Sequence, residues 1–390
     1  MLSITSTPIS IINRAIILFL SIIVILFFKE KFLPSSILFK ISTCFWIFYL
    51  LRIFSYLSID KYSTMKSSFF YLIWSIGGCF VPFFALSKGA YTINPRMLFK
   101  LLSLISLIVF ISIYPQLSSL VFSSYSGFTD SYRLQSDVLN PIYIGSFGNL
   151  MILPSYWGLL NFNLIFNKNY KRFFKVILFV NIILGLILLF GANSRGPIVG
   201  FIFTMVTIEI FQTKFKLYSI FRKLIFYISF LGIILFNLST NIQIDKIISG
   251  LISALTLGDY SSQGRAKLYK IGFDNFLSHP FLGNEIDLPL NIGTHHNIVI
   301  ASFSSGGIII GLLMILIIIF ALRNAILLIK GKSSFSFIGI IFLPFLIQSF
   351  FSGGIYLYVE FWSLIGILSS LEFFIKTNSD YLFQGDKIKF

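Results

Sequence analysis

The chain has 390 residues, of which 56% are hydrophobic and 11% charged, with 48 phenylalanines and a mean hydropathy of +0.90. Such a sequence has too little polar surface to cover a soluble core of that size, which excludes a water-soluble globular enzyme. The formal charge of +16 invites a nucleic-acid reading, but the excess sits in short segments such as NKNYKRFFK (167–175), where membrane topology and anionic lipid account for it.

Apolar runs close to the ~20 residues needed to span a bilayer recur along the chain at 9–28, 37–58, 67–87, 98–117, 142–166, 174–192, 195–212, 219–238, 298–320, 335–351 and 354–375. Each is predicted to be helical, because backbone groups in hydrocarbon are satisfied only within a helix or a closed barrel, and these runs are about twice a barrel strand in length. The expected fold is therefore all-α: a polytopic integral membrane helical bundle of about eleven transmembrane helices, with residues 1–390 forming a single integral membrane domain. The first run lacks a small-residue cleavage site and reads as a retained helix. Cys44 and Cys79 fall inside apolar runs and offer neither a disulfide framework nor a metal knuckle. No internal repeat of 20–50 residues is visible.

Basic residues set the orientation. The alternate connections 29–40, 88–100, 167–175, 213–223 and 321–336, with the tail 376–390, hold 20 of the 30 Lys and Arg. Cytoplasmic loops attract this excess, so that group is assigned inside, with the N-terminus and the long loop 239–297 outside. Arg14 and Arg52 lie within apolar runs, as does Glu360. Ionisable residues in a span are functional candidates by default; Arg52 and Glu360 are expected to pair with each other, to line a cleft, or, for Arg52, to snorkel.

Two outer segments carry most of the polarity. The shorter, 118–141, contains Asp130, Arg133 and Asp137. The longer, 239–297, contains Arg265, Lys267, Lys270, Glu285, Asp287 and all three histidines, His279, His295 and His296. On the same side lies the tight turn GANSRG with Arg195. Within the long loop, SSQGRAKLYKIGFDNFLSHP has partial helical periodicity: Ala266, Tyr269, Phe273, Phe276 and Leu277 share one face and Lys267, Lys270 and Asp274 the adjoining one. With Ser262 as cap and Pro280 as stop, it is predicted to be an amphipathic helix on the membrane surface with Arg265 in its first turn.

The ordered set Gly264-Arg265, Pro280-Phe281-Leu282-Gly283, His296-Asn297, then Gly307 and Gly311, resembles the signature of the O-antigen ligase and polymerase superfamily. The turn Ser194-Arg195-Gly196 and the string RLQSDVLNPI (133–142) resemble it too, so the likeness spans 133–311. Two departures are the second glycine at 311, one residue late, and Gly283-Asn284 in place of a commoner Gly-x-Gly. The resemblance implies transfer of a glycan from a polyprenyl-diphosphate carrier at the outer face of a bacterial cytoplasmic membrane. A chain-length regulator and a flippase are the partners it implies, and no cofactor.

The residue types suit that chemistry. A diphosphate leaves readily when its growing charge is neutralised, which an arginine fork does, and a histidine can take the proton from an attacking sugar hydroxyl. The assignments are Arg265 and Arg195 on the diphosphate, Arg133 as a third clamp, His296 as base, and Asn297 orienting the base or a sugar hydroxyl. Taken singly, each has a plainer reading: an interfacial arginine, an interfacial histidine, and for Lys267 and Lys270 a solvated helix face; His279 and His295 are read as structural or solvated. The one acid-x-acid pattern, Glu285-Ile286-Asp287, has no third carboxylate nearby, so catalysis is expected to be metal-independent. A transporter would show matched repeats and polar residues near the midplane, whereas polarity here is concentrated outside. Between the two family activities, polymerisation of lipid-linked repeats is preferred by analogy, with ligation of a finished glycan to lipid A-core as the alternative; 390 residues without an appended domain argue against protein glycosylation.

Overall fold

A computed structural model describes residues 8–27, 36–57, 68–89, 93–118, 140–166, 171–192, 194–212, 260–288 and 294–377. No strand occurs among the described residues, and ten of the eleven apolar runs are helical there; the run 219–238 lies outside them. The helices are α1 Pro8–Phe27, α2 Ile37–Leu57, α3 Ser68–Ser75, α4 Val81–Gly89, α5 Pro95–Ser118, α6 Pro141–Leu160, α7 Phe162–Ile165, α8 Lys171–Gly191, α9 Arg195–Gln212, α10 Tyr260–Ser278, α11 Ile298–Lys330, α12 Ser336–Ser349 and α13 Val359–Thr377. Among the described residues five stretches are long and apolar enough to cross a membrane: Ile37–Ser55, Phe70–Gly89, Pro95–Ile113, Lys171–Gly191 and Ile298–Lys330. The protein is an integral membrane protein built as a polytopic helical bundle.

The described helices group into two compact units. The first holds α1–α4, α10, α13 and α11 as far as Leu327. Its core is aromatic: Phe45, Trp46, Tyr49 and Trp362 are fully buried, with the Trp46 and Trp362 rings 4.6 Å apart. Between α3 and α4 the chain makes a π-helical turn, Ile76–Phe80, which contains Gly77 and Gly78. The missing side chain at Gly78 admits Arg14 of α1, whose Nη1 would lie 2.8 Å from a Cβ there. Arg14 thereby reaches the ring of Trp74, 3.6 Å from its centroid, and donates to the Tyr356 carbonyl at 3.3 Å. A half-buried guanidinium inside an apolar run finds partners in this way, a π face and a backbone carbonyl. At the other end of this unit, the buried Glu372 accepts from the backbone N–H of Leu38 in the first turn of α2 and from Asn324, so its carboxyl group takes one of the N–H groups that a helix start leaves without a partner in the helix.

The second unit holds α5–α9 with residues 328–344. Here α6 and α8 cross closely at Gly148 and Gly185, and a Cβ at Gly148 would meet the Gly185 carbonyl oxygen at 2.7 Å and the Leu189 nitrogen at 2.9 Å. Small residues at the crossing replace a hydrophobic drive that lipid does not supply. Polar side chains add fixed points: Asn149 donates to the Pro197 carbonyl, Asn181 to the Ser103 carbonyl, and the Tyr156 hydroxyl to Glu209. Replacing Gly148 with leucine is expected to push α6 off α8 and to lower the amount of folded protein in the membrane at least severalfold, as read by detergent-solubilised monodisperse yield; an unaltered yield would contradict this crossing.

Candidate functional site

Tyr260–Ser278 forms the helix that the periodicity indicates, although its faces are divided differently. Tyr269 and Phe276 turn inward with the buried Gly272 between them, while Phe273 and Leu277 are exposed and Leu268 is half-buried. A glycine at the centre of the packed face contributes nothing to an apolar pattern, which is why the expected stripe was drawn one position off. The helix lies along the start of α11. A Cβ on Gly272 would meet Ile300 at 2.6 Å and the His295 ring at 2.8 Å, and Phe276 packs edge-on against Phe303 at 5.1 Å.

At its foot, α10 runs into the turn Pro280–Gly283, which docks against a break in α11. Gly307 has φ 65° and ψ −160° within the first third of that 33-residue helix. A side chain there, as at Gly283 with φ 72°, would collide with the opposing backbone: a Cβ at Gly307 would be 2.3 Å from the Phe281 carbonyl oxygen. Two backbone bonds join the turn to the break, Asn284 N–H to Ser304 O at 2.9 Å and Ile308 N–H to Pro280 O at 2.8 Å. The sequence placed this span at 298–320, but the helix continues to Lys330. Thirty-three residues rise about 50 Å, against a hydrocarbon core of ~30 Å. The part beyond the break, Ile308–Lys330, is long enough alone to cross it.

His296 and Asn297 sit where α11 begins. The Asn297 side-chain oxygen caps the helix, accepting from the N–H groups of Val299 (2.9 Å) and Ile300 (3.1 Å), and its amide nitrogen reaches the Phe350 carbonyl at 3.4 Å. The Tyr269 hydroxyl of α10 donates to the same carbonyl at 2.9 Å. Just before this cap, His296 has φ 52°, a left-handed conformation uncommon outside glycine, in which asparagine, aspartate and histidine are the enriched side chains and which recurs at functional sites. Its imidazole is held below its ordinary pKa of 6.5, first by burial and next by the positive charge of Arg265, with His295 adding to the effect and Asp287 opposing it. The ring is therefore kept neutral, with a lone pair free to accept a proton. Burial raises the Tyr269 hydroxyl, against the pull of Arg265 and Asn297.

Close to His296 lies a buried polar group whose members the sequence marks separately, Asp287 in the acid-x-acid pattern and His295 as structural or solvated, but does not bring together. His295 is 1% exposed and Asp287 3%. One Asp287 carboxylate oxygen accepts from the Tyr356 hydroxyl at 2.6 Å, and the other is 3.7 Å from His295 Nδ1. Asp287 thus lies between Tyr356 and His295. Among the described residues no three His, Cys, Asp or Glu side chains gather closely enough to hold a metal ion.

The remaining sequence-predicted residues are dispersed. Arg265 is half-buried in the second turn of α10, in the same unit as His296 and Asn297, rather than in the first turn as the sequence suggested. Arg195 opens α9 in the other unit. Arg133 lies outside the described residues, although the end of its string is seen as Asn140 capping α6. Lys267, Lys270 and His279 are exposed. Arg52 donates to main-chain carbonyls of the Pro280–Gly283 turn region and of α11, while Glu360, in the first turn of α13, is within electrostatic reach of Arg14.

A polytopic helical membrane protein with an arginine-bearing amphipathic helix docked on a histidine-led span is the class that these elements define. A family model described as O-antigen ligase matches residues 180–284, and the resemblance to the O-antigen ligase and polymerase superfamily stands on that match. The matched stretch includes Arg195, Arg265 and the Pro280–Gly283 turn; Arg133, His296 and Asn297 lie beyond its ends. It supports a glycan-transfer function of the ligase or polymerase type. No curated protein matches the chain.

Proposed function

We propose that the protein polymerises polyprenyl-diphosphate-linked oligosaccharide repeats into a surface polysaccharide at the outer face of the bacterial cytoplasmic membrane, without a metal ion. The observation that carries the reading is the electrostatic reach of Arg265, near the start of α10, to the backbone-constrained His296 just ahead of α11. The acceptor sugar hydroxyl loses its proton to His296 as its oxygen attacks the anomeric carbon of the donor. The bond from that carbon to the diphosphate oxygen breaks, and the charge gathering on the diphosphate is neutralised by Arg265, with Arg195 and Arg133 as further clamps. Asn297 caps α11 and so orients the base. Ligation of a finished glycan to lipid A-core uses the same donor and leaving group, and the description of the matching family model favours it as the second reading.

Deletion of the gene, with complementation by wild type, separates the two. Loss of the long glycan ladder, with single repeats still delivered to the surface, is the expected result for a polymerase. Long chains accumulating on the polyprenyl carrier would identify a ligase, and an unchanged pattern would remove both.

A further inference from the structure

We propose that Arg52 is a positioning residue for the transfer reaction: from α2 it clamps the turn at the foot of α10 to the break in α11 and thereby sets the register between Arg265 and His296. This rests on the site reading above. The sequence offers Arg52 as a snorkelling residue, as a partner of Glu360 or as part of a cleft lining. In the structure its guanidinium instead reaches three separate places. Nε donates to the Ser305 carbonyl at 3.1 Å, Nη1 to the Ser55 hydroxyl at 3.1 Å, and Nη2 to the carbonyls of Asn284 and, at 3.5 Å, Gly283. The Ser55 hydroxyl is itself anchored on the Arg52 carbonyl at 2.8 Å.

The chemistry of a broken helix explains why an arginine stands there. The non-helical residue Gly307 interrupts the i to i−4 ladder, and carbonyls ahead of it lose their usual partners. In a membrane protein an unpaired backbone group is expensive. The Ser304 carbonyl is taken by Asn284 N–H, the Pro280 carbonyl by Ile308 N–H, and the Ser305, Gly283 and Asn284 carbonyls by Arg52. One planar fork thus serves both sides of the junction, which the single nitrogen of a lysine does not do.

The clamp matters to chemistry because it sits at one end of a lever. Arg265 lies 15 residues before Pro280, about 22 Å along the helix at 1.5 Å per residue, so a tilt of about 10° at the foot displaces the Arg265 end by about 4 Å. Misplacement of about 1 Å is already enough to reduce a positioned reaction steeply. Contacts of Gly272 and Phe276 with α11 fix which face of α10 is presented; the clamp fixes its height.

The test uses the full chain in lipid nanodiscs, with lipid-linked repeat units as donor and acceptor. Arg52→Lys keeps the charge, and Ser55→Ala removes one clamp partner with little disturbance. Both are compared with wild type and with His296→Asn for kcat, KM and the acid limb of the pH profile, per molecule of folded protein. The expected result for Arg52→Lys is a fall in kcat on the order of ten- to a hundredfold, with the acid limb moved to higher pH because His296 is released from the Arg265 charge. Ser55→Ala should show the same shift in milder form. A wild-type kcat and limb in Arg52→Lys, or a loss of protein amount alone with per-molecule kcat and limb unaltered in both variants, would overturn the clamp. Full activity in His296→Asn would instead overturn the site reading.

Discussion

Replacing His296 with asparagine is expected to lower the rate of glycan transfer by about a hundred- to ten-thousandfold, the range carried by a positioned general base, with the protein still inserted and folded. Asparagine is the informative choice because it tolerates the left-handed backbone that His296 adopts at φ 52°. An alanine would mix loss of the base with backbone strain of about 1 to 3 kcal/mol. The pH dependence is a second signature. Burial and the Arg265 charge hold the His296 pKa below 6.5, so as pH falls the ring stays neutral past the point where an ordinary histidine would be protonated. Wild-type kcat should therefore be sustained through 6.5 and decline only at lower pH, where His296 gains its proton and can no longer accept one. Initial rates across the acid range in wild type and His296→Asn check this; residual activity in the variant should lack that limb.

Replacing Arg265 with alanine should reduce kcat by about a hundred- to a thousandfold, the size of effect seen when a charge-stabilising group is withdrawn from a transition state. The same substitution should move the acid limb upward, because one of the influences depressing the His296 pKa is this guanidinium. Arg265→Lys restores charge without the two-pronged geometry and should recover the limb more fully than the rate. Measuring both quantities on one variant set separates a leaving-group role from simple unfolding, since unfolding lowers active amount and leaves the limb where it was. An Arg265→Ala protein with wild-type kcat would exclude the assignment.

Helix content was legible in the sequence because hydrocarbon leaves the backbone almost no other choice, and boundaries such as Ile37–Leu57 and Arg195–Gln212 fell close to the apolar runs. The interruption of α11 was not, since Gly307 and its neighbours are apolar or small and the run reads straight through. Arg265 and His296 could be singled out because charged and titratable groups are scarce in such a chain. Asp287 reads in the sequence only as half of an isolated acid-x-acid pattern, and His295 as structural or solvated, because sequence spacing does not place them together; the fold shows them 3% and 1% exposed against each other. Arg52 stands out as an intramembrane charge, but apart from Ser55 its named partners are main-chain carbonyls more than 230 residues away, and carbonyls leave no mark in a sequence.

The close approach at Gly272 has an evolutionary consequence. Because a Cβ at 272 would occupy space held by the His295 ring and by Ile300, these positions are not free to drift separately. A lineage that acquires a side chain at 272 must first shrink 295 or 300, and one that fixes a bulky ring at 295 is confined to glycine on the facing helix. The glycine seven residues after the arginine and the first histidine of the pair thus form one packing unit, although 22 intervening residues separate them in the chain.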